Sequence, residues 1–354
     1  LSLLHHSPSM FVILSLIIDL IYWLNKQFRY ISDLIIGNVF DPRFDIVLVT
    51  GGVTGLGREL VLQIISKGAQ VVVLDILEPL EEDLNTVGLT HYKCDVSDPQ
   101  DVLRTQKLVR KEIGVVTVLI NNAGIATGKP VLDLSFQEIE KTIQINLLSS
   151  FYTIKAFLPD MMLRGRGYIV TIASVLGYMS PARLSAYGAS KSGLIALHES
   201  LTYELGSPSL NPQGIKTLLV CPGQLKTGMF QGVATPSTIF APELDPAFVA
   251  SSVVNAIELG RRGEIKLPLY GKVIPMFRAL PWPIVEVTRR ITGIDQSMID
   301  FKSKISKVAS SVSSLRNISL LGSKNVSTEV TPTFAVAEST PQENKAALSQ
   351  TEIS

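Results

Sequence analysis

"DIVLVTGGVTGLG", residues 45–57, is an apolar, β-branched run that breaks into closely spaced glycines. Such a run reads as a strand buried on both faces. The stretch after it, "LGRELVLQIISKG" (56–68), is amphipathic at helical spacing and stops at Gly68, a helix terminator. A glycine loop between a strand and a helix is a place for phosphate. Gly51, Gly55 and Gly57 let the backbone turn tightly and approach a pyrophosphate, which the helix N-terminus attracts. Thr50 and Leu56 belong to the same candidate set. The spacing is G-x-x-x-G-x-G rather than G-x-G-x-x-G.

The alternation continues outward from there. "QVVVLD" (70–75), "HYKCDV" (91–96), "VTVLINN" (116–122), "GYIVTIAS" (167–174) and "IKTLLVCPG" (215–223) read as strands, with a last short one at "EIKLPL" (264–269). Helical stretches separate them, which predicts right-handed crossovers and one α/β, Rossmann-type, doubly wound parallel sheet of about seven strands, helices on both faces. The expected organisation is an N-terminal anchor and linker over 1–40, the sheet domain over 41–270, a Pro-rich apolar segment over 271–304, and a disordered Ser/Thr/Lys-rich tail over 305–354. Asn317 and Asn325 stand in N-x-S sequons within that tail.

Composition excludes several functions. The 354 residues carry a formal net charge of +1 with 18% charged, so no basic footprint for nucleic acid exists. Cys94 and Cys221 lie far apart without metal-ligand spacing, and the four histidines form no HExxH or paired signature. The cysteines read as free buried thiols, two of the histidines are the adjacent His5 and His6, and no metal is expected. The run "MFVILSLIIDLIYWL" (10–24) is broken by Ser15 and Asp19 and followed by Lys26 and Arg29. Positive charge on its C-terminal side does not fit a cleaved signal peptide. The run is short of the roughly 20 residues that span a bilayer, so the expectation is an uncleaved anchor with the catalytic part cytosolic.

Two further features carry chemistry. Asp75 ends the second strand, where a carboxylate can accept hydrogen bonds from ribose hydroxyls and repel a 2′-phosphate. That favours NAD over NADP, with Arg58 as the opposing charge. "SAYGASKSG" (185–193) places Tyr187 and Lys191 four positions apart, hence one turn apart on one helix face.

TGGVTGLG, then "CDV" at 94–96, "NNAG" at 121–124, Asn146, Ser174, Tyr187, Lys191 and "PGQLKT" at 222–227 together resemble the short-chain dehydrogenase/reductases. The resemblance covers roughly residues 44–270. With the two flanking apolar segments the chain is most similar to the membrane-associated retinol and 17β-hydroxysteroid dehydrogenase branch. The resemblance implies that Asp95 and Val96 flank the adenine. Asn122, Ala123 and Gly124 would line the cofactor, and Pro222, Gly223, Leu225 and Thr227 would hold the nicotinamide end. Lys155 would belong to the cofactor-binding set, and Lys191 would bind the nicotinamide ribose. Tyr187 would be the acid/base, its phenol pKa drawn below its usual value of about 10 by the neighbouring ammonium and the oxidised nicotinamide. Ser174 would hydrogen-bond the substrate oxygen, and Asn146, mid-helix, would hold a water for proton relay.

The expected activity interconverts an alcohol and its carbonyl on a lipophilic substrate by hydride transfer. Two other classes share parts of the pattern: a sugar-nucleotide epimerase or dehydratase, and a catalytically silent nucleotide-binding protein. The first usually shows TGxxGxxG and a larger C-terminal domain; the second would leave catalytic positions empty. The pocket should draw on "VLGYMSPARLS" (175–185) and the segment after Pro222, with Leu176, Tyr178, Met179, Met229 and Phe230 as its apolar lining. Trp282, Phe277 and Arg278 suit a headgroup-level environment. The expected partners are therefore the substrate, an endoplasmic-reticulum or lipid-droplet surface, and a second copy of the chain.

Overall fold

The computed structural model describes residues 40–298, apart from 85, 207–213, 231–232 and 234–241, together with 20, 21, 23 and 24. Seven strands form one all-parallel sheet: β1 (Ile46–Thr50), β2 (Gln70–Asp75), β3 (Leu89–Lys93), β4 (Val118–Asn121), β5 (Tyr168–Ile172), β6 (Lys216–Pro222) and β7 (Gly263–Leu267). Their order is β3-β2-β1-β4-β5-β6-β7. β1 is thus the point where the winding reverses, and the C-terminal ends of β1 and β4 border the crevice where doubly wound sheets take their ligands. β3 differs from its expected span. It pairs with β2 over Leu89–Lys93 and has ended before Cys94–Val96, which run on beyond the sheet. As an edge strand it is only partly buried, so its apolar pattern is too weak to fix its ends.

Strand periodicity divides the core between two layers. Val47 and Val49 of β1 pack on one face with Val71 and Val73 of β2. Leu48 packs on the other with Val72 and Leu74. The first face is covered by α1 (Gly55–Ser66), through Leu60 and Ile64, and by α6 (Pro246–Glu258), through Val249, Val253 and Ile257. The second is covered by α2 (Pro99–Glu112), through Val102 and Val109, and by α4 (Ser149–Arg164), through Phe157 and Met161. α5 (Ser185–Glu204) adds Leu201 to this second face, and α3 (Phe136–Ile143) precedes α4.

Local chemistry fixes the helix starts. Asp98 and Asp245 cap α2 and α6 by accepting Gln100 and Ala247 amides, each with proline at the first helical position. Ser135 and Glu138 form a reciprocal capping box on α3. α1 has no side-chain cap and no acid in its first turn, so its leading amides stay available to an anion.

The expected tail over 305–354 and its sequons lie outside the described residues. So does most of the 10–24 run, of which Leu20, Ile21, Trp23 and Leu24 are helical and exposed. Among the described residues no helix is long and apolar enough to cross a membrane.

The turn from β1 into α1 needs glycine at particular positions. Gly51 and Gly55 sit at φ +64° and +58°, and a Cβ on Gly57 would lie 2.0 Å from the Gly51 carbonyl oxygen and 2.6 Å from Asn122 Nδ2. Gly57→Ala should therefore displace the loop rather than fill a void. The expected cost is about 1–3 kcal/mol in urea unfolding, with loss of NADH binding by fluorescence titration. Unchanged stability and affinity would contradict this packing.

Candidate active site

α5 meets the sheet along one stripe. Tyr187, Lys191, Leu194, His198 and Leu201 recur at i, i+4, i+7, i+11 and i+14, and all are buried. Its two N-terminal members are a phenol and an amine, 5% and 4% exposed. Lys191 Nζ donates to the Ile172 carbonyl at the end of β5 (2.9 Å) and lies 5.8 Å from the centre of the Tyr187 ring. Ser174 is buried just past β5. Its hydroxyl accepts the Leu176 amide (3.1 Å), donates to the Pro222 carbonyl (3.4 Å) and lies close enough to the Tyr187 phenol to favour its ionised form. Strand end and helix stripe thus bring Ser174, Tyr187 and Lys191 together.

Burial sets the resting proton affinities. It pushes Tyr187 up to about 12, against the lowering effect of the Ser174 hydrogen bond, and Lys191 down to about 8. In the protein by itself desolvation prevails, and Tyr187 is held protonated.

Asn146 lies not in regular α-helix but in a π-helical turn, Gln144–Leu148, between α3 and α4. Its side-chain oxygen accepts the Ile125 amide (2.7 Å), and its Nδ2 donates to the Ile125 carbonyl (2.9 Å) and to Ser190 Oγ (3.0 Å). Ser190, fully buried, donates in turn to the Tyr187 carbonyl (2.6 Å). Asn146 thereby ties the loop after β4 to the helix that presents Tyr187. Ser190 was not singled out from sequence; its only signal is its place among the small residues of 185–193.

The nucleotide side is built on β1 and β4. Thr50 Oγ1 accepts the amides of Asn122 (3.0 Å) and Ala123 (3.1 Å), and Asn122 Nδ2 donates to the carbonyls of Thr50 and Gly51 (3.0 Å each). These bonds fix the glycine loop against the neighbouring strand end. A Cβ on Gly124 would lie 3.7 Å from Lys191 Nζ. Asp75 is 9% exposed, and its carboxylate accepts the Val53 (3.1 Å) and Leu77 (3.0 Å) amides. Arg58 is engaged by Asp83 (2.7 Å) and Glu82 (2.6 Å). Asp95 is exposed past β3 and accepts the Ser97 amide and hydroxyl, whereas Val96 is buried in the core. After β6, Pro222 is buried and the Gly223 amide donates to the Leu267 carbonyl (2.7 Å). Leu225 bridges to Leu244, and the Thr227 methyl lies 3.4 Å from where a Cβ on Gly55 would stand. Lys155 does not join this set: it is exposed on α4, whose Ile154, Ala156 and Phe157 face the core. The uncapped start of α1, the glycine-rich loop and the buried amine suit a dinucleotide.

On the other side of Tyr187 the walls are apolar. Ala126, Leu184 and Met298 are buried with it, and Leu176, Met229, Phe230 and Val233 pack against them. The Phe230 ring meets Tyr187 edge-on at 5.7 Å. Tyr178 and Met179 pack instead around Val175 and Ile274. Beyond β7 the chain forms single turns over Leu269–Lys272 and Ile274–Ala279, then α7 (Trp282–Thr292). Arg278 is exposed and donates to the carbonyls of Tyr178 (2.8 Å) and Gly177 (3.1 Å). Trp282 is 75% exposed, and Phe277 is half-buried.

Residues 45–237 match the short chain dehydrogenase family. An uncharacterized oxidoreductase of Saccharomyces cerevisiae is 36% identical over 251 residues, covering 70% of this chain and 82% of that protein. Short-chain dehydrogenase/reductase family 16C member 6 of Bos taurus is 40% identical over 61% of this chain and 70% of that one. Retinol dehydrogenase 10 of Homo sapiens is 34% identical over 72% of this chain and 84% of that one. Among solved structures, a short-chain dehydrogenase from Streptomyces avermitilis shares the fold at a TM-score of 0.58 and 24% identity, covering 70% of this chain and 95% of its own. With these matches and the seven-stranded sheet beneath the site, the chain belongs to the short-chain dehydrogenase/reductase family of oxidoreductases, which act on alcohols and carbonyls with NAD or NADP.

Proposed function

We propose that this protein oxidises and reduces a lipophilic alcohol/carbonyl pair with NAD, at a membrane surface, and that Tyr187 moves the proton. The observation that carries the reading is the meeting of Ser174, Tyr187 and Lys191 at the crevice edge, with apolar side chains packed around Tyr187. The glycine cradle would hold a nicotinamide dinucleotide, which would supply or accept the hydride and, when oxidised, would favour the phenolate. Ser174 and Tyr187 hold the substrate oxygen between two hydroxyls. In reduction Tyr187, protonated as it rests, donates its proton to that oxygen. In oxidation it accepts the proton, which requires its pKa to fall from about 12. Lys191, with one N–H on the Ile172 carbonyl, has two more donors for ribose hydroxyls. Its charge favours the phenolate once formed. Asn146 and Ser190 act on geometry, holding the loop and the helix in register.

The apolar walls favour a substrate with a long or bulky hydrocarbon body, such as a retinoid, a steroid or a long-chain alcohol, and the similarity to retinol dehydrogenase 10 supports the retinoid among them. For the cofactor, Asp75 stands where a 2′-phosphate would meet a buried carboxylate. Arg58, the cation that could answer it, is already paired with Asp83 and Glu82. The membrane reading rests on two exposed apolar elements. Leu20, Ile21, Trp23 and Leu24 are each more than half exposed. On α7, Ile284, Val287 and Ile291 are 50%, 56% and 80% exposed at i, i+3 and i+7, with Trp282 and Met276 nearby in sequence and equally bare. The endoplasmic reticulum or a lipid-droplet monolayer would present such a surface to a cytosolic catalytic domain.

Two outcomes are expected. Across a panel of retinol, a steroid alcohol and dodecanol, kcat/KM should be higher with NAD than NADP. Repulsion worth about 1–3 kcal/mol corresponds to a ratio of roughly fivefold to 150-fold, and Asp75→Ala should narrow it; higher efficiency with NADP would reverse the assignment. In fractionated cells the full chain should pellet with membranes and resist alkaline carbonate. A chain lacking 1–40 should become loosely bound, and adding Ile284→Glu and Ile291→Glu should release the remainder. A full chain recovered in the soluble fraction would refute the anchor.

A further inference from the structure

The apolar wall around Tyr187 has one member that the sheet does not supply. Ala126 follows β4, Leu176 and Leu184 follow β5, and Met229 and Phe230 follow β6. Met298 comes from beyond α7, yet it is 2% exposed in the same cluster as Tyr187. A polar buckle holds it there. Asp295 accepts the Ala182 amide (2.9 Å) and the Arg289 Nε–H (3.0 Å), and Arg289 Nη2 also donates to the Ser180 carbonyl (3.0 Å). The clasped loop, Ser180–Leu184, leads directly into the turn of α5 that carries Tyr187. Within it Arg183 sits at φ +70°, a conformation that non-glycine residues adopt only when their surroundings impose it. Leu184, the next residue, is fully buried beside Tyr187 and Met298.

We propose that Met298 is a specificity-determining residue: it touches the hydrocarbon body of the substrate next to Tyr187, and the Arg289–Asp295 buckle positions it. This rests on the reading of Tyr187 as the acid/base toward an apolar alcohol. With Tyr187 only 5% exposed, a substrate reaching the phenol displaces or lies along this wall. A thioether on an unbranched stem yields to different hydrocarbon shapes. Its bulk nonetheless limits how wide a body fits beside the reacting carbon. Shortening it should admit bulky alcohols, and enlarging it should exclude them.

The test uses the full chain in detergent with NAD, and compares kcat/KM for all-trans-retinol, a ring-bearing alcohol, with that for decanol, a linear one. Met298→Ala should raise the retinol-to-decanol ratio about tenfold, and Met298→Trp should lower it about tenfold. NADH affinity should stay within about twofold, as for a residue apart from the cofactor cradle. Ratios within twofold of the unsubstituted protein in both variants would overturn the proposal. Failure to oxidise any alcohol would instead overturn the functional reading, and the wall is then judged by labelling. The native thiols are both buried, so maleimide reports on Met298→Cys alone. Labelling should be at least about tenfold slower than for Ser200→Cys on the exposed face of α5, slower still with dodecanol, and faster when Asp295→Ala is added. Labelling as fast as the surface control, or unaffected by dodecanol, would contradict the assignment.

Discussion

The site depends on placing a phenol and an ammonium on the stripe of a helix that faces the sheet. At any other helix such positions would be apolar, because burying a charge without a partner costs several kcal/mol. Here the Ile172 carbonyl takes one Lys191 proton, and Ser174 takes up the phenol. The small residues of 185–193 serve the same end by letting the helix come close. A Cβ on Gly188 would stand 2.1 Å from Ser180 Oγ, and one on Gly193 would stand 2.7 Å from Leu147 Cδ2. Larger residues would lift Tyr187 and Lys191 away from the strand end that satisfies them. The buried amine and phenol are therefore a property of the packing as much as of the chemistry.

Sheet topology then decides what meets the pair. Because β1 neighbours both β2 and β4, the loop after β1 and the loop after β4 open side by side. Thr50 and Asn122 lock them together with side-chain bonds to backbone. The cradle, the amine and the phenol so lie along one edge of one sheet. Asn146 reaches that edge from the opposite side. The π turn adds one residue to the helical repeat, which turns its amide inward to the Ile125 backbone.

Elements governed by local pattern were legible in the sequence. The strands with continuous β-branched runs, the glycine loop and the Tyr187–Lys191 spacing all follow from period and turn chemistry within a few residues. What was not legible depended on surroundings. The ends of β3 are set by pairing with β2 rather than by its own half-buried pattern. The proton affinity of Tyr187 is set by desolvation, and no reading of neighbours along the chain contains that. The bonds of Arg278 to the Gly177 and Tyr178 carbonyls, about a hundred residues away in the chain, likewise come only from the fold. Lys155 carried no local signal separating a solvent-facing position from a site position. Met298 gave none at all, since only the fold-back of the chain past α7 brings it to the phenol.

The account stands on Tyr187 as the group that moves the proton, and single-turnover kinetics of Tyr187→Phe tests that directly. Phenylalanine keeps the ring that packs against Phe230 and Leu184 and removes only the hydroxyl. The account predicts a fall in the hydride-transfer rate of about 10²–10⁴-fold, with NADH affinity and thermal unfolding close to those of the unsubstituted protein. Hydride transfer at an unchanged rate in a folded, cofactor-binding variant would contradict it.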